Sequence, residues 1–145
     1  MTRSAEPVTF VIERTYNATP AKVFSMWSSR EQKMRWFGEP NEKYRLDFRV
    51  GGEERNEGGP PGGPLYVFSV VYREIVPDER FVFQYTMDAD DVRISVSEAA
   101  VTFEAQGDGT LLTYTEQGIF LDGLEEIGVR QKGTEELLDN LGTVL

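Results

Sequence analysis

Apolar and polar residues recur along this chain with a period that changes at only a few points. "VTFVIERTYN" is rich in β-branched and aromatic residues and reads as a first strand. In "ATPAKVFSMWSS" the spacing becomes helical. Thr19 is placed to cap, Pro20 suits the first turn, and Val23, Phe24 and Trp27 fall on one side. "SREQKMRWFG" predicts a second short helix, with Ser29 as its cap and Gly38 as its stop. From Glu42 the pattern turns to strands: "EKYRLDFRV" runs into a turn at Gly51 and Gly52, and "EERN" begins the return. "EGGPPGGP", residues 57–64, suits neither helix nor central strand and is expected to be a mobile loop. Beyond it "LYVFSVVYREIV" and "RFVFQYTM" form a hairpin across "PDE". "VRISVSEAAVTFEA" and "TLLTYTEQGIF" form another across "QGDG".

The order is one strand, two short helices, about six strands and a long final helix, in a single domain spanning 1–145. Short turns between consecutive strands make the sheet antiparallel, and the last helix must cover its apolar face. The fold class is therefore α+β. Within the sheet, Tyr66, Phe68, Val70 and Tyr72 share one face, as do Phe81, Phe83 and Tyr85. Ser69, Arg73, Gln84 and Thr86 take the solvent side. One strand breaks phase, because Val92, Ile94 and Val96 have the opposite parity to Val101 and Phe103. A β-bulge near Glu98 would reconcile them and help the sheet to curl.

The final helix, "IGVRQKGTEELLDNL", carries Ile127, Arg130, Thr134, Leu137 and Leu141 on one face. Its leucines belong to a core, but a guanidinium and a hydroxyl precede them. This pattern fits a helix whose second half seals a core while its first half borders a cavity. The aromatic supply points the same way. Trp27, Trp36, Phe37, Phe48, Phe68, Tyr72, Phe83, Tyr85 and Tyr114 are more than one helix needs to cover, although each alone is also compatible with plain core packing.

Composition narrows the chemistry. A chain of 145 residues can withdraw roughly 70% of its unfolded surface from water, and 39% hydrophobic content is enough to build that core. The formal charge of −10 argues against nucleic acid and against an anionic membrane surface as partners. Neither cysteine nor histidine is present. That excludes disulfides, thiolate chemistry, Ser-His-Asp triads and histidine-ligated metals within the chain. No cofactor or metal is expected, and any acid–base work falls to Asp, Glu, Lys or Tyr. "MTRSAEPVTF" has no apolar leader core, which leads to the expectation of a cytoplasmic protein; the "NAT" at Asn17 then carries no weight.

Five segments, in order, resemble one family. "ERTYNATPAKVFSMWSSREQKMRWFG", "DFRVGG", "VPDERFVF", "GDGTLLTYTEQGIFLDG" and "VRQKGTEELLDNL" are similar to the START-like (SRPBCC) superfamily, in the branch named after activators of the Hsp90 ATPase. The resemblance runs from about Ile12 to Leu141. It implies a helix-grip fold, in which a curved antiparallel sheet wraps a long C-terminal helix and two small helices close one end. It also implies a cavity that in many members takes hydrophobic small molecules, without implying one chemistry. The chain departs from the branch at Gly133-Thr134, where Gly-Trp is common, and in its Gly- and Pro-rich loop. Both departures touch the cavity or its rim.

The candidate ligand-binding residues are Trp27, Trp36, Phe68, Tyr72, Phe83, Tyr114, Glu116, Arg130 and Thr134. The 53–64 segment is expected to gate access. Arg130 has three readings: a structural pair with Glu116 or Glu98, a fork for a ligand carboxylate or phosphate, or a snorkelling surface cation. Glu116 shares parity with Leu112 and Tyr114 and is the one candidate catalytic residue, as an acid or base if burial raises its pKa. Glu53, Glu54 and Glu57 read as a solvated acidic stretch rather than a metal site. The leading function is binding of a small hydrophobic or amphipathic molecule. A hydrolase or cyclase using Glu or Tyr is the first alternative, and a stress-related or co-chaperone-like interaction module the second. A homodimer is left open, since no segment argues for one.

Overall fold

The computed structural model describes residues 3–39 and 41–145. Its centre is a seven-stranded, fully antiparallel sheet in the order β1-β7-β6-β5-β4-β3-β2. The strands are β1 (Ala5–Tyr16), β2 (Arg45–Leu46), β3 (Glu53–Gly58), β4 (Tyr66–Val76), β5 (Arg80–Ala89), β6 (Val92–Gln106) and β7 (Gly109–Leu121). Helices α1 (Pro20–Ser28) and α2 (Arg30–Lys33) follow β1, and α3 (Ile127–Thr143) closes the chain. The sheet is open and curved around α3, the helix-grip arrangement of an α+β protein.

The small helices begin where their caps place them. Thr19 Oγ1 accepts from the Lys22 N–H at 3.3 Å with Pro20 in the first turn, and Ser29 Oγ accepts from Gln32 N–H at 3.3 Å. The predicted strand "EKYRLDFRV" shrinks to Arg45–Leu46. Its remainder curls into a turn closed by Gly52 N–H donating to Arg49 O at 2.8 Å. That turn requires its glycines. Gly51 has φ +82°, and a Cβ on Gly52 would lie 2.1 Å from Asp47 O. The expected loop starts later than the composition suggests, because β3 continues to Gly58. The loop's exit is fixed by Leu65, whose N–H donates to Asp90 Oδ1 and whose carbonyl accepts from Asp90 N–H, both at 2.9 Å.

Asp90 and Asp91 both adopt positive φ, 48° and 67°, in the two-residue turn between β5 and β6. The phase break in β6 is present but lies at Ile94, not near Glu98. The register against β5 slips between Ser95 and Arg93, so Ile94 and Ser95 both turn inward while Val92 and Val96 are exposed. From Ser95 onward the odd positions face the core without interruption, which is why no second bulge is needed at Glu98. A further bulge at Arg73 in β4 lets Tyr72 and Ile75 both face inward.

The core sits at one end of the grip. Phe24, Phe48, Phe81 and Phe103 meet edge-on or tilted at 5.3–6.2 Å between centroids. The second half of α3 closes on this end through Leu138 and Leu141, both essentially without exposure. Tyr16 OH donates to Leu138 O at 2.7 Å, and Arg14 pairs with Asp139 at 2.7 Å, tying the helix to the edge strand β1. The first half of α3 stands off from the sheet, and the space beneath it is the site.

Candidate functional site

A cavity of about 460 Å³ lies between the first half of α3, the inner face of β4, β5 and β7, and the α1–α2 corner. That is within the range of small-molecule sites, roughly 300–1,000 Å³. One wall is made by Trp27, Trp36 and Phe37, and the facing wall by Phe68, Phe83, Tyr85 and Tyr114. The helix contributes Arg130, Gly133, Thr134, Leu137 and Leu138. The rim is made by Gly58 and Gly59 on one side and by Glu125 and Val129 on the other, the last 63% exposed.

Of the residues singled out in the sequence, Trp27, Trp36, Phe68, Phe83, Tyr114, Arg130 and Thr134 line this space. Tyr72 and Glu116 do not. Both are fully buried behind the wall, committed to hydrogen bonds that explain their position. Lys33, Glu125, Met87 and Leu138 line the cavity and were not among the candidates. Lys33 had a readable signal, since with Trp36 and Phe37 it follows the i, i+3, i+4 spacing of one helical face. Glu125 had none, because it precedes the helix in an irregular segment.

Arg130 is a structural cation first. Its Nη1 donates to Tyr85 OH at 2.9 Å and to Glu116 Oε2 at 3.4 Å, its Nη2 donates to Ser95 Oγ at 2.9 Å, and its Nε lies 2.5 Å from Glu125 Oε2. The guanidinium carbon stands 4.8 Å from the centre of the Phe120 ring. Burial works against the charge, and Tyr85, Glu125 and Glu116 together outweigh it, so its pKa lies above the usual arginine value. Glu98 is not a partner. It is on the outer face of the sheet, accepting from Gln84 Nε2 at 3.1 Å, while Gln84 Oε1 accepts from Arg73 Nε at 2.7 Å. Glu116 takes the Tyr85 and Tyr114 hydroxyls at 2.7 and 2.8 Å. Burial, and then the Glu116 charge, push both phenols well above the usual tyrosine range, so at neutral pH they are donors.

A second ionic cluster closes the far wall, and it overturns the reading of Glu54 as solvated. Glu54 is 2% exposed. It accepts from Lys33 Nζ at 2.9 and 2.7 Å, from Tyr44 OH at 2.6 Å and from Tyr72 OH through a very short bond. Alternation along β3 turns Glu54 inward, whereas Glu53 stays exposed and Glu57 is only half-buried, paired with Arg55 at 3.0 Å. Lys33 Nζ also lies 4.4 Å from the centre of the Phe37 ring. Burial draws the Lys33 pKa below the usual lysine value, with Glu54 acting in the opposite sense. The two indoles differ. Trp36 Nε1 donates to Met26 O at 2.9 Å, while the buried Trp27 Nε1 has no partner among the described residues.

A family model described as "Activator of Hsp90 ATPase homolog 1-like protein" matches residues 17–145. The chain belongs to this family. Its fold matches a protein from Rhizobium leguminosarum at 44% identity and a TM-score of 0.93, covering 99% of this chain and 97% of that one. A Rhizobium loti protein matches at 39% identity and a TM-score of 0.93, covering 98% and 99%. CalU16 from Micromonospora echinospora shares the fold at 22% identity and a TM-score of 0.65, covering 98% and 83%. No curated protein matches the chain. Among the described residues no helix is long and apolar enough to cross a membrane, and no cluster of three or more His, Cys, Asp or Glu is arranged to hold a metal.

Proposed function

We propose that this member of the Hsp90-ATPase-activator-like family binds a small, largely apolar molecule in the space beneath the first half of α3. The observation that carries the reading is that the cavity is lined by aromatic rings, and that the buried ions beside it, Lys33, Glu54, Glu116 and Arg130, are already paired. Such a wall offers apolar contact area at little desolvation cost. The binding reading is favoured over a hydrolase or cyclase by the placement of Glu116. Two phenols and a guanidinium occupy its oxygens, and it lies behind the wall, out of reach of a bound molecule. A general base needs a free lone pair within hydrogen-bond distance of its substrate. An interaction-module role has no comparable feature to support it.

Gly133 provides the test. It lines the cavity from α3, and a Cβ added there meets nothing within 4 Å. Replacing a helical glycine also favours the helix by up to about 1 kcal/mol. Gly133→Phe is therefore expected to leave the fold intact and to plug the space. Native mass spectrometry of freshly purified protein should show a small-molecule adduct on the wild type that the variant lacks. Calorimetry with a neutral naphthalene should give binding only to the wild type. Equal binding to both proteins would place the ligand elsewhere and end the proposal.

A further inference from the structure

Resting on the cavity being a ligand site, we infer that it selects uncharged molecules with a hydrogen-bond acceptor of the ketone or ester kind. The acceptor is met by Trp27 and Lys33, and carboxylates are rejected. The argument starts from the charges around the space. Lys33 and Glu54 cancel, and Arg130 faces both the buried Glu116 and the half-buried Glu125 at the rim, so the groups around the cavity carry one negative charge in excess. A ligand carboxylate would add a second in a poorly screened interior. Arg130 cannot compensate. Of its five N–H donors, Nη1 spends two on Tyr85 and Glu116, Nη2 spends one on Ser95, and Nε faces Glu125. A bidentate grip on a ligand carboxylate would require dismantling that set.

The opposite wall has the complementary lack. Trp27 lines the cavity, is 4% exposed, and its Nε1–H has no partner among the described residues. Buried donors of this kind are rare and mark either a strained site or a missing acceptor. Its neighbour Trp36, whose ring centre is 4.6 Å away, is satisfied by Met26 O, so of the two indoles only that of Trp27 keeps a free donor among the described residues. Lys33 reinforces the same end. Two of its three N–H groups are directed at Glu54, and its Nζ lies 5.4 Å from the centre of the Trp27 ring. A neutral carbonyl oxygen satisfies this end without adding charge.

Three probes of one shape separate the possibilities: 2-ethylnaphthalene, 2-acetonaphthone and 2-naphthoate, titrated by calorimetry into the wild type and Trp27→Phe. The ketone should bind the wild type about tenfold more tightly than the hydrocarbon, the worth of one buried hydrogen bond. It should exceed the carboxylate by at least as much. In Trp27→Phe, which gives up no satisfied hydrogen bond, the ketone's advantage over the hydrocarbon should disappear, whatever the change of wall shape does to the affinity of both probes. If naphthoate binds tightest, or ketone and hydrocarbon bind the wild type equally, the polarity inference is overturned and the cavity reading survives. If none of the three binds, both fall. The wild-type series decides the matter even if the variant fails to fold.

Discussion

Glu54 and Glu116 are both fully buried carboxylates that accept from two tyrosine hydroxyls and one cation, yet their cations are held differently. Lys33 gives Glu54 two N–H groups at 2.9 and 2.7 Å and faces no other carboxylate among the described residues, so the cluster is electrically closed. Arg130 reaches Glu116 at only 3.4 Å and lies nearer Glu125, at 2.5 Å. The first cluster fixes α2 to β3 and β4. The second fixes the start of α3 to β5 and β7 while leaving an extra carboxylate at the rim. Closure therefore belongs to the wall that shuts the grip, and imbalance to the wall that borders the opening. Arg130 also sits in the first turn of α3, where the helix dipole disfavours a cation. Its carboxylates must offset that as well.

The largest expected effect would break both clusters together. Burial raises the pKa of Tyr16, Tyr44, Tyr72, Tyr85 and Tyr114 above the ordinary tyrosine value, with Glu54 or Glu116 adding to it for the last four. The folded protein thus keeps protons that the unfolded chain releases above about pH 10. The stability these phenols contribute is intact below that pH and is lost as pH rises through the folded values. Each phenol costs about 1.4 kcal/mol per further pH unit. Phenolate absorbance and circular dichroism should then change together, in one cooperative alkaline transition. A phenolate signal larger than one tyrosine, since Tyr66 is exposed and outside both clusters, that develops near pH 10 with the ellipticity unchanged would show that the clusters are open to solvent.

Next in size is the contrast between the cations' partners. Glu54→Ala leaves Lys33 buried and unpaired and should cost about 3–5 kcal/mol in urea denaturation. Adding Lys33→Met should recover at least half of that. Arg130→Met should cost less, about 2–3 kcal/mol, because Glu116 keeps two phenol donors and Glu125 is beside the opening. If Arg130→Met proves the more damaging, the closed and unbalanced clusters have been assigned the wrong way round.

The same contrast explains which residues are legible in the sequence alone. Glu116 stood out because it shares parity with Leu112 and Tyr114 on a strand otherwise apolar on that face. Arg130 stood out because leucines follow it at helical spacing. The long helix, the antiparallel sheet, the capped corner helices and most of the aromatic wall follow from periodicity in the same way. Glu54 was invisible because its strand, "EERNEG", has no apolar residue to mark an inward face. Its burial depends on Lys33, Tyr44 and Tyr72, which lie on three other segments. The bulge was placed four residues late because Val96 looks like a core residue, while the polar Ser95 is the one that faces in to meet Arg130. In each miss a polar side chain took an inward place through a partner distant in sequence, and a pattern based on hydrophobicity cannot register that.

The smallest effect concerns Thr134, which lines the cavity one turn beyond Arg130. Its hydroxyl donates to Arg130 O at 2.9 Å, so its hydrogen is already committed within the helix. Were the hydroxyl a ligand donor, Thr134→Val would reproduce its shape and remove an essential contact. If the acceptor is instead met by Trp27 and Lys33 on the far wall, the substitution removes only a local back-bond. Stability should then move by less than about 0.5 kcal/mol, as for other substitutions away from a packed or paired group. The affinity for 2-acetonaphthone should change by less than about twofold. A tenfold loss with the fold unchanged would move the polar end of the ligand across the cavity to α3. The unbalanced cluster, rather than the closed one, would then be the wall that reads it.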